Sequence, residues 1–241
     1  LEQLLAYPYG CSEQIISRAV PWARLSPGDA ARFGLLPVIE DTFGTDYTQA
    51  FRLRQLTGAV NNLLGRQQDN GGFGVWSRNG EEAHWLTVQA AEFLLAAGTA
   101  GVSVPTGALE RTLNRLDDYV RGDLAQPDTS PAAFFAVQAY AADVLSGANR
   151  VHLGHLRRLF QQGERLQADS GLPWAQLGRA LSRAGDPGLA DQAFRQARQQ
   201  PYRGPSAGDY GSALRDAARM VSVLQSVGQA RGSDLQALFD Q

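Results

Sequence analysis

Apolar residues recur at helical spacing along most of the chain. Phe51, Leu53, Leu56, Val60, Leu63 and Leu64 share one side of a helical period, and Trp85, Val88, Ala91, Phe93 and Leu95 repeat the arrangement inside a helix expected over Glu82–Ala97. Each stripe needs a partner surface to cover it. Further helices are predicted over Thr106–Arg121, Ser130–Ser146, Arg150–Gln162, Leu172–Ala184, Leu189–Gln199 and Asp209–Val227. Between them, Ser26-Pro27-Gly28-Asp29, Asp69-Asn70-Gly71-Gly72 and Gly185-Asp186-Pro187-Gly188 carry turn chemistry. Strand-period alternation is nearly absent and no boundary has the composition of a linker, so residues 1–241 read as a single all-α domain.

Composition changes this picture in three places. A hydrophobic content of 44% is ample for a buried core, and a net charge of −2 gives no general attraction to nucleic acid. Partners are therefore expected to be proteins. No run approaches the roughly 20 apolar residues that cross a bilayer, so the piece is expected to stay out of the membrane. The chain opens on Leu1 and its one methionine is Met220, which reads as a piece of a larger polypeptide. All 22 basic residues are arginine. A GC-rich genome explains that by itself, yet a domain bearing an amine-seeking electrophile would also gain from having no lysine amine of its own.

Such an electrophile is available. The single cysteine, Cys11, directly follows Gly10 and stands three residues before Gln14. A thiol held against a side-chain amide can expel ammonia and close an internal thioester, which makes the acyl carbon of Gln14 a stored acylating agent. Positions three apart share a side of a helical turn, and Gly10 permits a sharp chain entry. Ser12-Glu13-Gln14 opens a polar first turn ahead of Ile15-Ile16, and a helix N-terminus there would favour a Cys11 thiolate. A bare Cys-x-x-Gln pair is equally compatible with a cysteine that is a small buried hydrophobe.

The longer context separates the two readings. Tyr7-Pro8-Tyr9-Gly10-Cys11-Ser12-Glu13-Gln14, followed by Ser17-Arg18 and Pro21, resembles the thioester region of the bacterial alpha-2-macroglobulins, relatives of the animal alpha-2-macroglobulins and complement components. Ser12 departs from the glycine or leucine usual in its slot. Glu82–Ala97 and Tyr210–Asp216 resemble two further helices of that family, so the likeness runs through nearly the whole chain.

The resemblance implies an α/α toroid, a barrel of helical hairpins, incomplete at its C-terminal end because the family's ring-closing helices either lie beyond this piece or are missing from this version. It implies a cross-link between Cys11 and Gln14. Gly10 would shape the entry, Glu13 would fix local geometry, and Tyr7, Tyr9 and Trp22 would keep water away. The parent would be a broad protease inhibitor and not an enzyme: bait cleavage exposes the thioester, which captures the attacking protease through a surface lysine in one turnover. Neighbouring β-sandwich domains and a periplasmic parent, lipid-anchored at the inner membrane, are also implied. In some complement-type relatives a downstream histidine takes the acyl group first. The corresponding stretch near Pro127–Ala133 has none, which favours direct reaction with amines.

Other candidates are weaker. Gln67 to Trp76 fits a Gln-x-x-x-Gly-Gly-Phe-x-x-Trp pattern resembling loops of prenyltransferase subunits and terpene cyclases. Its glycines suit a tight path, Gln67 can bond the turn, and Phe73 and Trp76 are expected to fill the gap between hairpins. Trp174–Gln199 resembles a tetratricopeptide helix pair, but no period of about 34 residues runs through the chain. His152 and His155 have helical spacing without a following carboxylate, so neither a metal nor a cofactor is expected. No Gly-x-Ser-x-Gly elbow and no Gly-Lys phosphate loop is present, and Asp117-Asp118 is the only aspartate pair. Two alternatives stay open: a binding or scaffolding domain that keeps the fold without the bond, and a toroid enzyme acting on prenyl or glycan substrates.

Overall fold

The computed structural model describes residues 10–123, 130–166, 168–200, 204, 209 and 211–239. Among them run twelve α-helices, with two isolated antiparallel bridges, Gln67 to Phe73 and Gly74 to Glu82, and no strand. The all-α class expected from the sequence holds. The chain divides into two compact units, Leu1–Arg115 and Leu116–Gln241.

Unit 1 contains α1 (Ser12–Arg24), α2 (Pro27–Arg32), α3 (Leu36–Phe43), α4 (Gln49–Leu64), α5 (His84–Thr99) and the first part of α6 (Thr106–Arg121). Helix α1 packs on α4 and α5. Its Ile16, Ala19 and Trp22 are buried with Leu56, Val60 and Leu63 of α4 and Leu86, Phe93 and Leu94 of α5. The stripe read on α4 is thus its core face. Trp22 stands edge-on to Phe43 and Phe51, at 5.4 and 6.0 Å between ring centroids, and tilted to Tyr47 at 5.4 Å. Helix α1 runs through Pro21 to Arg24, its last helical bond being Leu25 N–H to Pro21 O at 2.8 Å, so the carbonyls that follow have no helical partner. The buried guanidinium of Arg52 takes over, its Nε donating to Trp22 O at 2.5 Å and its Nη2 to Ala23 O at 3.1 Å.

Unit 2 contains the rest of α6, α7 (Pro131–Gly147), α8 (Leu153–Gly163), α9 (Leu172–Arg183), α10 (Pro187–Gln199), α11 (Ala213–Ser226) and α12 (Gly232–Phe239). Helix α9 packs against α7, α8, α10 and α11. Glycine permits close packing on α10, since a Cβ on Gly178 would lie 2.6 Å from Phe194 Cε1. Trp174 is 2% exposed and meets Phe135 and Phe160 at 5.2 and 5.3 Å between ring centroids.

Helix α6 has the bounds read from the sequence, and α7 and α9 shift by one residue at their ends. Helices α2, α3 and α12 were not anticipated. Ser26-Pro27-Gly28-Asp29, which reads as a turn, is the N-cap and first turn of α2: Ser26 Oγ accepts from Asp29 N at 3.1 Å and Pro27 occupies the first helical position. Serine, proline and aspartate serve turns and helix starts by the same local bonding. Asp186-Pro187 likewise opens α10 two residues before the expected Leu189.

Candidate functional site

The first turn of α1 holds the cysteine and glutamine singled out above. Cys11 is the N-cap, in extended conformation at φ −64° and ψ 171°, and Gln14 is the third residue inside the helix. The Cys11 N–H donates to Gln14 Oε1 at 3.0 Å. This is the geometry of a capping box with Cys11 in the place usually held by serine or threonine and Gln14 reaching back to the N-cap amide. The consequence is chemical as well as structural, because the Gln14 carboxamide is held beside Cys11 instead of extending into solvent. Cys11 is a free cysteine and only 6% exposed.

Gly10 acts through space and not through backbone freedom. Its φ lies outside the left-handed region, but a Cβ there would stand 2.9 Å from Gln14 Cβ and 3.2 Å from Gln14 Oε1. Any larger residue would press on the side chain that must approach Cys11. Glu13 accepts from Ser17 Oγ one helical turn on, a local tie that leaves its carboxylate away from the Cys11–Gln14 bond. Tyr7 and Tyr9 lie outside the described residues. Trp22 belongs to the aromatic cluster ten residues further along α1, about 15 Å from the first turn at helical rise, so it cannot cover Cys11.

The Gly-rich loop supplies the floor of the site. Ser12 is fully buried; its N–H donates to Val75 O at 2.8 Å and its Oγ to Gly74 O at 2.7 Å. Arg66, just past the end of α4, donates from Nη2 to Gly10 O at 2.7 Å, and from Nη1 to Ser12 Oγ at 3.3 Å and Val75 O at 3.4 Å. The loop is itself tightly fixed. Gly71 has φ +91°, and a Cβ on it would lie 2.2 Å from Arg111 O. The buried Gln67 donates to Ala108 O at 2.8 Å and Thr112 Oγ1 at 2.7 Å, while Arg111 Nη2 donates to its Oε1 at 2.9 Å. Arg115 forks onto both carboxylate oxygens of Glu82. Phe73 fills the core as expected. Trp76 does not: it is 71% exposed, and the Gln67 side chain bonds α6 instead of the turn expected for it, so the glycines and Phe73 alone have the role read for them.

His84 opens α5, and burial lowers its pKa below the usual imidazole range. His152 and His155 face one another at 5.6 Å between rings, and no group of three potential metal ligands occurs among the described residues. Asp118 forms an exposed ion pair with Arg121.

None of the protein-family models searched matches the chain. Individual relatives do. The alpha-2-macroglobulin of Escherichia coli (strain K12) is 38% identical over 232 residues, covering 93% of this chain and 13% of that protein. The alpha-2-macroglobulin of Xylella fastidiosa (strain Temecula1) is 36% identical over 252 residues, covering 98% and 15%. The chain thus spans only 13–15% of the length of these curated relatives.

Solved structures agree. Native E. coli alpha-2-macroglobulin, from domain MG7 to the C-terminus, matches with a TM-score of 0.86 at 36% identity, over 98% of this chain and 36% of that one. The trypsin-activated E. coli protein matches at 0.83 and 37% identity, over 98% and 16%, and the Salmonella protein reacted with methylamine at 0.86 and 35%, over 99% and 15%.

A cysteine-capped first turn on an all-α scaffold of the α/α-toroid class is what fold and site define together. By sequence and structure the chain belongs to the bacterial alpha-2-macroglobulin family, as a segment of that family's C-terminal region.

Proposed function

We propose that residues 1–241 are the thioester-carrying domain of a broad protease inhibitor, and that Cys11 and Gln14 form its internal thioester. The 3.0 Å contact from Cys11 N–H to Gln14 Oε1 carries the reading, because it folds the Gln14 carboxamide back onto the residue whose thiol would attack it. In formation, Cys11 Sγ adds to Gln14 Cδ to form the C–S bond, the thiol proton passes to the amide nitrogen, and the C–N bond breaks so that ammonia leaves. In trapping, the neutral amine of a protease lysine adds to Cδ, the C–S bond breaks, and an isopeptide bond remains while Cys11 recovers its thiol. Both steps pass through a tetrahedral oxyanion on Oε1, where the Cys11 N–H is already aimed. Each domain acts once, so the protein is a trap and not a catalyst. Relatives activated by trypsin and reacted with methylamine support proteases as targets and amines as acceptors.

Gly10 keeps the approach clear, Glu13 steadies the turn, and Tyr7 and Tyr9 belong to the shield against water. A neighbouring β-sandwich domain completes that shield in a periplasmic, lipid-anchored parent. Among the described residues no helix is long and apolar enough to cross a membrane. The test is made on full-length protein purified without amines. Its mass is expected to be lower by one ammonia, with Cys11 untitratable until methylamine is added. Trypsin should form a denaturation-resistant adduct, and Cys11→Ala should abolish all three signals. A freely titratable Cys11 at full ammonia content would leave a scaffolding domain in its place.

A further inference from the structure

Two arginines grip helix α1, one at each end, and both come from α4 or the residues just after it. Arg52 holds the C-terminal carbonyls Trp22 O and Ala23 O, while Arg66 holds Gly10 O and Ser12 Oγ on either side of Cys11. Arg66 makes no ion pair with a carboxylate among the described residues. Its bonds go to Gly10, Ser12 and Val75. A guanidinium offers several donors in one rigid plane and so fixes the relative positions of its acceptors. Here those acceptors flank the reacting cysteine. Ser12 is tied to the same place twice more, through Val75 O and Gly74 O. Both neighbours of Cys11 are therefore immobilised, and the only nearby group left to set the distance is the Gln14 side chain.

We propose that Arg66 is a positioning residue for thioester closure: by fixing Gly10 and Ser12 it holds Cys11 in register with Gln14, and it touches neither reacting atom. The proposal rests on the thioester reading above. Intramolecular attack gains its rate from held geometry, and displacement by about 1 Å can lose a hundredfold. Arg52 supplies the control, since it is the same residue type, bonded to the same helix, at the end without chemistry.

The experiment measures the fraction of full-length protein that has lost ammonia, beside thermal melting, for wild type, Arg66→Met, Arg66→Gln, Ser12→Ala and Arg52→Met. Arg66→Met is expected to lower the thioester fraction at least about tenfold, and Arg66→Gln, which keeps an N–H donor, to lower it less. Ser12→Ala, should Arg66→Met fail to fold, is expected to give a smaller but measurable loss. Arg52→Met should lower the melting temperature while every folded molecule still closes its thioester. The inference is overturned if Arg66→Gln and Ser12→Ala both close fully, or if Arg52→Met loses the thioester as completely as the Arg66 variants, which would make the effect one of helix stability. Wild type that retains its ammonia would defeat the thioester reading itself, an outcome distinct from either of these.

Discussion

In unit 1 the buried Arg52 and Gln67 and the half-buried Arg66 donate mainly to backbone carbonyls, whereas in unit 2 Arg179, Arg198 and Arg215 each pair with a buried carboxylate, of Asp143, Asp234 and Asp216, with Arg198 and Arg215 adding one carbonyl bond each, to Gln229 O and Asp209 O. The difference separates two uses of the same side chain. A donor on a carbonyl fixes the path of a loop or the end of a helix, which is what a reacting turn requires. A donor on a carboxylate ties one side chain to another and tolerates small backbone adjustments. The Glu82–Arg115 pair in unit 1 follows the first use in effect, because Gly72 packs directly on the Glu82 carboxylate.

If this division is real, damage to the two units should part stability from chemistry. The largest effect is expected from Trp174→Ala, which empties a fully enclosed aromatic site in unit 2 and should cost about 3–5 kcal/mol in denaturant unfolding. Folded molecules of this variant should still lose ammonia, and failure to do so would break the comparison. Next comes a matched pair, Gly71→Ala in unit 1 and Gly171→Ala in unit 2. The added methyl groups would lie 2.2 Å from Arg111 O and 2.1 Å from Ala197 O. Each should destabilise by roughly 1–3 kcal/mol, but only Gly71→Ala moves the loop beneath Ser12 and should lower the thioester fraction.

The smallest effect is the pH response. His84 in unit 1 and His155 in unit 2 both have pKa values lowered by burial, with Arg158 adding to the shift at His155. A lowered folded pKa means that the unfolded chain binds the proton more readily, so each histidine contributes stability that is full above 6.5 and lost as the pH falls through its folded value. His84→Gln and His155→Gln should each flatten part of the decline in unfolding free energy between neutral and mildly acidic pH. His84, set deeper, should account for more of it.

The sequence carries the Cys11–Gln14 turn openly because its parts are three residues apart and the helix itself brings them together. The same holds for α4, whose buried stripe is a local property of its own residues. What holds the turn in place was hidden. Arg66 lies 56 residues from Gly10, and Ser12 lies 62 from Gly74, and nothing in local periodicity pairs them. The Gln67–Trp76 pattern did signal a tight loop, but not that its Gly74 and Val75 carbonyls would receive the residue after the cysteine. Helices α2 and α3, at six and eight residues, are too short to display a period, and their starting residues also spell turns. At Gly10 the structure shows a need for room beside Gln14, a contact made through space that local backbone preference does not display.

The exposure of Trp76 has an optical consequence. Of the four tryptophans, Trp22, Trp85 and Trp174 are 4%, 8% and 2% exposed, against 71% for Trp76. An aqueous quencher such as iodide should therefore remove the red-shifted emission of one indole and leave the other three. That indole directly follows Val75, whose carbonyl receives the Ser12 amide. Its quenching rate and emission maximum give a label-free signal beside the cysteine, able to report in real time when a neighbouring surface covers this loop or withdraws from it.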